Sequence, residues 1–362
     1  MSKKIGVLTG GGDAPGLNAV IYALTRACIG MGYELIGYKF GYRGLYKNDF
    51  VPLTIESTSG ILHKGGTMLY SSNKDNLFDY PVEENGVKVK KDVSDIAVMN
   101  IQKDNVDVLV VLGGDGTLAS ARDFARRGVN VIGIPKTIDN DLGSTEQTFG
   151  FDSAVNVVTE NLGRLHTTAE SHHRVMVVEV MGRSAGWIAL QSGIAGSADV
   201  ILIPEIPYKI EKVVEKVNAR NAMGRHFTII VVTEGAKEAG GQTVVSKMVA
   251  DSPDPIRFGG IAAKIAYDLE KYMDAEHEVR SCALGHIQRG GETSPFDRVL
   301  SVRYGVAAAN LIREEKFGQM VCLKDGQMNY TSLENATKSN KLVDPNGELV
   351  QVARALGISF GD

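Results

Sequence analysis

The sequence predicts an α/β protein of two Rossmann-like lobes with mostly parallel sheets and an active site in the crevice between them. Short apolar runs rich in β-branched residues alternate with helical stretches, which is typical of parallel sheets covered by helices. Several of these runs end in glycine-rich polar loops. The 362-residue chain is also long for a single core, and its length suits two lobes.

The clearest unit lies near the middle of the chain. Residues 106–112 and 129–134 are apolar runs that we predict as parallel strands, with a helix at 118–127 between them. Each strand ends in a polar loop, G-G-D-G-T at 113–117 and P-K-T-I-D-N-D at 135–141. Ligands bind beyond the carboxyl ends of such strands, so both loops face one crevice. Backbone N–H groups at a helix N-terminus suit phosphate, and with nearby carboxylates they indicate phosphoryl transfer.

The N-terminal region supplies another loop to this edge. We predict a strand at 5–9 that leads into G-G-G-D-A-P-G at 10–16 and a helix at about 17–31. Glycines let the backbone approach a ligand, although a tight turn needs them equally. The run is not the dinucleotide-binding fingerprint. A second strand at 33–40 and a helix at about 93–103 complete this part of the pattern.

The second half repeats the strand–loop–helix order. Helices are predicted at about 152–168, 255–272 and 297–313, and strands at 175–180, 200–203, 227–233, 279–284 and 321–323. We predict a phosphoryl-donor lobe at 1–151, a second lobe at 152–291 that binds the acceptor, and a return to the first lobe at 292–362 with a C-terminal tail.

Composition excludes several functional classes. The net charge is −4 with no basic stripe, which argues against nucleic acid as the main ligand. Cys28, Cys282 and Cys322 lack metal-ligand or redox spacing, which favours a reducing compartment. The apolar run at 5–9 is too short for a signal peptide, and no stretch reaches membrane-spanning length. We therefore expect a cytoplasmic protein that binds neither membranes nor nucleic acid.

Carboxylates at the two central loops are the first candidate site residues. Asp115 can hold Mg²⁺ together with substrate phosphates; the alternative is a helix N-cap. Asp139 and Asp141 are two apart, so in an extended loop they point to opposite sides and should not share one role. One can act as general base toward a hydroxyl, which contributes roughly 10²–10⁴-fold. Thr137 can donate a hydrogen bond to a transferred phosphoryl group.

Cationic side chains at strand ends and in glycine-flanked loops form the second candidate set. Arginine forks match phosphate oxygens, so together they indicate a site for a phosphorylated substrate. Glu234 can accept a hydrogen bond from a sugar hydroxyl. Met181 either packs on a sugar ring or fills a gap in the core. The cationic residues are Arg174, Arg183, Arg280, His286 and Arg289.

Seven motifs in order resemble the 6-phosphofructokinase family over roughly residues 3 to 325. They are G-G-D-A-P-G-L-N, G-G-D-G-T, P-K-T-I-D-N-D, S-H-H-R, E-V-M-G-R, T-E and G-H-I-Q-R-G-G. One of them alone would be weak, because G-G-D-G-T also occurs in NAD kinases and lipid kinases. The resemblance implies phosphoryl transfer to the 1-hydroxyl of fructose 6-phosphate in glycolysis, by subunits that form a homodimer or homotetramer.

The resemblance also implies residue roles. Asp139 would take the proton of the 1-hydroxyl, assisted by Thr137 and Arg183, and Asp115 would hold Mg²⁺. Donor phosphates would contact Gly12, Asn73, Lys74, Gly114, Asp115, Gly116 and Thr117. The sugar phosphate would contact Thr137, Ile138, Asp139, Arg174, Met181, Gly182, Arg183, Glu234, Arg280, His286 and Arg289, with Arg174 and Arg280 reaching in from a neighbouring subunit.

Two positions bear on the phosphoryl donor. In the family, Gly at 116 goes with ATP and Asp with pyrophosphate, because a side chain there would occupy the space of the α-phosphate. Lys136 is typical of pyrophosphate users, but the family also has members that combine this Gly and Lys and use ATP, and the sequence at 148–207 looks most like that mixed group. ATP is therefore expected, with pyrophosphate as the alternative. Asn73 departs from the usual Arg, and Lys74 offers a point charge rather than a fork.

Other functions remain open. A kinase for another sugar phosphate, or an NAD or lipid kinase, would share the phosphate loop but would not need the later Arg and His residues. A catalytically inactive regulatory subunit would be expected to have lost Asp115 or Asp139, and both are present.

Overall fold

A computed structural model describes residues 2–84, 86–249, 255–273 and 278–362. The larger of its two main sheets contains the strands that precede the glycine-rich loops at 10–16 and 113–117. Its inner strands run parallel, and its two edge strands are antiparallel to their neighbours. Within the described ranges the spatial order is Gln327–Ser332 (β15), Gln319–Lys324 (β14), Val131–Pro135 (β7), Val108–Gly113 (β6), Lys4–Thr9 (β1), Glu34–Tyr38 (β2) and Phe50–Leu53 (β3).

The smaller sheet is parallel throughout its described strands. In the described ranges, two separate antiparallel strand pairs lie outside both sheets, Tyr80–Glu84 (β4) with Val87–Lys91 (β5) and Val245–Met248 (β11) with Ile256–Phe258 (β12). The strand order of the smaller sheet is Val279–Ala283 (β13), Val175–Val180 (β8), Thr228–Thr233 (β10) and Val200–Leu202 (β9).

Helices cover the faces of both sheets. They are Leu17–Gly30 (α1), Tyr42–Lys47 (α2), Ser94–Lys103 (α3), Asp115–Arg126 (α4), Phe151–His172 (α5), Trp187–Ala195 (α6), Ile210–Ala222 (α7), Ile261–Glu270 (α8), Pro295–Arg313 (α9), Leu333–Ala336 (α10) and Glu348–Ala355 (α11), with a 3₁₀ turn at Gly285–Arg289. No helix in the described ranges is both long and apolar enough to cross a bilayer.

The predicted α/β class is confirmed, and the packing explains why the apolar runs are continuous. Strand β6 is buried along its whole length because helices cover both of its faces. On one face Leu24 of α1 and Tyr304 of α9 belong to one apolar cluster. On the other face Phe124 of α4 is fully buried in a second cluster.

Some predicted boundaries differ from the structure. The helix predicted at 255–272 is wrong at its start, because residues 256–258 pair with β11 and the helix begins only at Ile261. Gly259 and Gly260 separate the two elements with φ of 140° and 92°, values that glycine adopts without strain. Helix α4 begins at Asp115 rather than at residue 118.

The last part of the chain contacts both lobes. Leu333 and Ala336 pack in the core beside the larger sheet. Val343 and Val350 instead belong to the apolar cluster of the smaller sheet, and Ser359 pairs with Val200 of β9. The chain therefore returns to the larger sheet through β14 and β15 and then crosses to cover the smaller one.

Candidate active site

The loops at the carboxyl ends of the two sheets meet across one crevice. Arg289, from the 3₁₀ turn, lies 4.0 Å from Asp13 when measured from Nη1 to Oδ1. A Cβ atom added to Gly12 would collide with the same guanidinium. Glycine at position 12 therefore allows an arginine of one lobe to lie directly on the phosphate-type loop of the other.

Backbone hydrogen bonds to neighbouring segments hold the glycine loop after β1 in place. The Gly10 N–H donates to Leu112 O at 2.9 Å, and the Gly11 N–H donates to Ser72 O at 3.0 Å. The Thr117 side chain occupies the space where a Cβ on Gly10 or Gly113 would lie. Thr117 thus locks the two loops together, while the N–H groups of the first turn of α4 have no acceptor within the helix.

Gly116 is not required by the fold. A Cβ at this position would meet no atom within 4 Å, and its φ is not positive. The neighbouring Asp115 is exposed, yet partial burial raises the pKa of its carboxyl, with Arg122 and Arg183 opposing. The glycine therefore leaves open space at a helix N-terminus, beside an accessible carboxylate.

Asp139 lies at the bottom of the crevice. Its side chain is buried, with 5% exposed, and its Oδ1 has no hydrogen-bond partner among the described residues. Burial raises its pKa, and the positive charges of Arg289 and Arg183 oppose this rise. Its N–H donates to Thr137 Oγ1 at 3.1 Å. A buried carboxylate whose oxygen is not engaged by the described residues, and whose pKa is raised, has the properties of a general base.

The two following residues complete this loop. Asn140 is buried in a left-handed conformation with φ of 51°, and its Oδ1 accepts from the Thr148 N–H at 3.1 Å. Burial and the charge of Asp139 raise the pKa of Asp141 to about 6, with a smaller contribution from Asp115. These carboxylates repel one another, which a bound divalent cation would relieve. The donor set fits Mg²⁺, which takes few carboxylates and completes its shell with phosphate oxygens and water.

Lys136 is almost completely buried beneath the glycine loop. Its Nζ donates to the Gly12 carbonyl, so its charge is already engaged by the protein. Burial and the nearby Arg289 lower its pKa to about 8. The lysine therefore supports the loop from below, where its ammonium also faces Asp139 and Asp13.

Arg183 and Glu234 form the opposite wall. Arg183 has φ of 53° and follows Gly182, whose φ of 138° only glycine adopts readily. The Arg183 N–H donates to Glu234 Oε1 at 3.2 Å. Burial and the charge of Asp139 raise the pKa of Glu234 to about 7. The Arg183 charge acts on both this carboxyl and Asp139, so it lies at the centre of the acidic cluster.

Some predicted contact residues are buried in the core. Met181 and Ile138 belong to the apolar cluster of the smaller sheet, with 8% and 2% of their surface exposed. Sequence reasoning missed Gln288, which is buried, accepts from the Met181 N–H at 3.2 Å and donates to Gly285 O at 2.9 Å. It fixes the turn that carries His286, which is exposed, and Arg289.

Other predicted residues lie apart from this cluster. Arg174 precedes β8 and Arg280 is the second residue of β13, so both are at the amino end of the smaller sheet, opposite the crevice. There both form ion pairs with Glu278. Asn73 and Lys74 are exposed and directly follow Ser72, the residue that receives the Gly11 N–H.

Comparison with known proteins agrees with this architecture. Residues 4–312 match the family described as Phosphofructokinase. The chain belongs to the phosphofructokinase family. It is 67% identical over 362 residues to the ATP-dependent 6-phosphofructokinase 2 of Clostridium perfringens, covering 99% of each chain. It is 44% identical over 360 residues to the pyrophosphate–fructose 6-phosphate 1-phosphotransferase of Streptomyces coelicolor, covering 99% of this chain and 100% of that one.

Among solved structures, a phosphofructokinase from Saccharomyces cerevisiae superimposes with a TM-score of 0.80 at 29% identity. The match covers 93% of this chain and 45% of the yeast chain. The predicted phosphofructokinase resemblance and fold are thus confirmed.

Proposed function

We propose that this phosphofructokinase transfers the γ-phosphoryl group of ATP to the 1-hydroxyl of fructose 6-phosphate, giving fructose 1,6-bisphosphate and ADP, in glycolysis. The observation that carries this proposal is the crevice itself. Gly116 leaves open space at the N-terminus of α4, and Asp139 lies buried with an Oδ1 that has no hydrogen-bond partner among the described residues. Arg183 and Arg289 place positive charge near that carboxylate. This is the arrangement that in-line transfer between a nucleotide and a hydroxyl requires.

Asp139 acts as the general base. It takes the proton of the 1-hydroxyl as the hydroxyl oxygen bonds to the γ-phosphorus, and the bond from that phosphorus to the β,γ-bridging oxygen breaks to release ADP. Its raised pKa makes it a stronger base than an exposed aspartate, because burial disfavours the charged form. Thr137, whose Oγ1 receives the Asp139 N–H, lies in the same loop and can donate to the transferred group.

The donor phosphates bind the glycine-rich side of the crevice. We assign Gly12, Gly114, Gly116 and Thr117 to this contact through backbone N–H groups, which suit phosphate at a helix N-terminus. Asp115 would hold Mg²⁺, which would neutralise phosphate charge when it binds with the donor. Asn73 and Lys74 flank the same loop and are assigned to the donor side.

The sugar phosphate binds the opposite wall. Arg183, His286 and Arg289 supply charge and hydrogen-bond donors, Glu234 accepts from a sugar hydroxyl, and Gly182 lets the backbone come close. Met181 and Ile138 contribute through their backbone, since their side chains are buried in the core. Arg174 and Arg280 lie far from their own crevice, which supports a role in the site of a neighbouring subunit of a homodimer or homotetramer. As a glycolytic enzyme, the protein is proposed to act in the cytoplasm.

Two observations bear on the donor. The empty space at Gly116 suits the α-phosphate of ATP. Lys136, the residue that suggested pyrophosphate, is buried with its ammonium on the Gly12 carbonyl, so it is engaged before any donor binds. Pyrophosphate remains the second candidate donor, because a lysine at position 136 is typical of family members that use pyrophosphate.

The acceptor is tested with purified protein, Mg²⁺-ATP and a panel of sugar phosphates, followed by ³¹P NMR of the product. The proposal predicts turnover with fructose 6-phosphate and a new phosphomonoester at carbon 1. Faster turnover with glucose 6-phosphate or ribose 5-phosphate, or phosphorylation at another hydroxyl, would contradict it.

A further inference from the structure

We propose that Lys341 is a positioning residue for the catalytic loop at 137–141, and that residues 340–343, here called the C-terminal strap, hold this loop against the sugar lobe. The inference rests on the proposed function, because it concerns the alignment of the base Asp139. It is carried by contacts on both sides of the strap.

On the side of the donor lobe, Lys341 uses every proton of its ammonium group. Its Nζ donates to Asn140 Oδ1 at 2.9 Å, to Thr145 O at 3.1 Å and to Glu146 O at 2.6 Å. Its backbone N–H donates to Asp141 O at 2.7 Å. A lysine ammonium has three donors, so this side chain is saturated by one short stretch of chain.

Asn140 is the point through which the lysine acts. It stands between the two loop carboxylates, is 4% exposed and holds a left-handed backbone with φ of 51°. Its Oδ1 also accepts from the Thr148 N–H at 3.1 Å. Because Asn140 joins Asp139 and Asp141 directly, any rotation of its backbone would move both carboxylates. Lys341 therefore fixes the direction in which the base points.

On the side of the sugar lobe, the strap is tied to the start of helix α6. The Trp187 Nε1–H donates to Lys341 O at 2.8 Å, and Lys341 Nζ lies 5.6 Å from the centre of the Trp187 ring. The Val343 N–H donates to Glu205 Oε1 at 2.9 Å, and the same carboxylate oxygen accepts from the Gly186 N–H at 3.0 Å. Val343 is buried in the core of this lobe.

The charge of Lys341 is held in a buried position. Burial lowers the pKa of Lys341 to about 8, and the negative charges of Asp141 and Glu146 oppose this fall. An uncharged side chain at 341 would leave the carbonyls of Thr145 and Glu146 without this donor. The loop would then be free to settle in another arrangement.

The test compares Lys341→Met with Lys338→Met as a matched control. Lys338 lies three residues earlier, is exposed, and its side chain makes no hydrogen bond or ion pair in the described part of the chain. We expect Lys341→Met to lower kcat about 10- to 100-fold, because a displacement near 1 Å at the reacting groups costs about 100-fold. The KM values for both substrates should stay within about threefold. Lys338→Met should match the wild type, and Lys341→Arg should recover part of the loss.

Two further measurements separate positioning from general destabilisation. In a double-mutant cycle, Lys341→Met and Asn140→Ala should be strongly non-additive in kcat, since the lysine acts through the asparagine. Trp187, the single tryptophan of the sequence, should change its emission in Lys341→Met and not in Lys338→Met. If Lys341→Met does not fold, Trp187→Phe, which removes the indole donor to Lys341 O and keeps an aromatic ring, should still lower kcat several-fold.

A kcat of Lys341→Met within twofold of the wild type, additive effects in the cycle, or a loss confined to KM would overturn the inference. The proposed function fails separately, by absence of wild-type turnover with fructose 6-phosphate. In that case amide hydrogen exchange of residues 139–146 still tests the positioning role of Lys341. Faster exchange in Lys341→Met than in the wild type supports this role, and unchanged exchange refutes it.

Discussion

Replacing Asp139 by Asn keeps the size of the side chain and removes its ability to take a proton. General-base catalysis contributes roughly 10²–10⁴-fold, which corresponds to about 2.7–5.4 kcal/mol of transition-state stabilisation. Asp139 is buried, and its Oδ1 has no hydrogen-bond partner among the described residues, so this oxygen is not engaged by the protein. We expect kcat of Asp139→Asn to fall by that factor, while the KM for fructose 6-phosphate changes little.

The same substitution should raise stability at neutral pH. The pKa of Asp139 is raised by burial, so the folded state disfavours the ionised form. Stability therefore falls as pH rises from the unfolded-state pKa of about 3.9 toward the folded-state pKa. Asparagine lacks this penalty, so Tm at pH 7 should exceed that of the wild type. The difference should shrink below about pH 4, where the carboxyl is protonated in both states.

The measurements are steady-state kinetics with both substrates and thermal unfolding at pH 7 and pH 4. Asp141→Asn is the matched control, because it removes the other carboxylate of the loop. Turnover of Asp139→Asn within tenfold of the wild type would remove Asp139 as the base. A lower Tm at pH 7, with the protein otherwise intact, would show that the burial argument has the wrong sign.

Four further predictions concern the walls of the crevice. Gly12→Ala should displace the Arg289 guanidinium, with little change in Tm. The KM for fructose 6-phosphate should rise about 10- to 100-fold, as expected for the loss of one charge-assisted contact of roughly 1.5–3 kcal/mol. A rise in the KM for ATP alone would contradict this prediction. Gly116→Asp should fold normally, since the space is open and an acidic residue suits a helix N-terminus, but should lose most kcat/KM for ATP; retained ATP use would refute the steric argument. Arg280→Ala should raise the KM for fructose 6-phosphate far more than that for ATP, and a selective loss of ATP affinity would mean that the lobes are misassigned. The pKa of Glu234 is about 7, so kcat/KM for fructose 6-phosphate should fall below pH 7, where the carboxyl gains a proton and is no longer only an acceptor. Glu234→Gln should flatten this acidic side of the pH profile. An unchanged profile in Glu234→Gln would exclude Glu234 as the acceptor for a sugar hydroxyl.

The sequence predicted those parts of the fold that local patterns determine. Buried parallel strands such as Val108–Gly113 are continuous apolar runs because helices cover both faces, so they are visible in the sequence. Edge strands such as Phe50–Leu53 and Gln327–Ser332 pair with one neighbour and are partly exposed, so they lack the continuous apolar run of a buried strand. The exposed strands Val245–Met248 and Ile256–Phe258 lack such a run as well, and the sequence did not predict them.

The site shows a similar division. Motif spacing predicted that the carboxylates of the two central loops lie together, because loops at neighbouring strand ends share one edge of a sheet. Arg174 and Arg280 instead lie at the amino end of the smaller sheet. Motif spacing could not locate Gln288 or Lys341, whose roles arise from contacts with residues about 107 and 201 positions away along the chain. Nor could it show that Lys136 is buried against the Gly12 carbonyl, since that depends on how the two loops stack.

The central claim is that this protein uses ATP to phosphorylate fructose 6-phosphate. The most direct measurement is the initial rate with fructose 6-phosphate and Mg²⁺, offering ATP and pyrophosphate in parallel at matched concentrations. The account predicts turnover with ATP and at most a trace with pyrophosphate, because Gly116 leaves room for the α-phosphate and Lys136 is already engaged. Faster turnover with pyrophosphate would contradict it and would make Lys136 the residue that decides the donor.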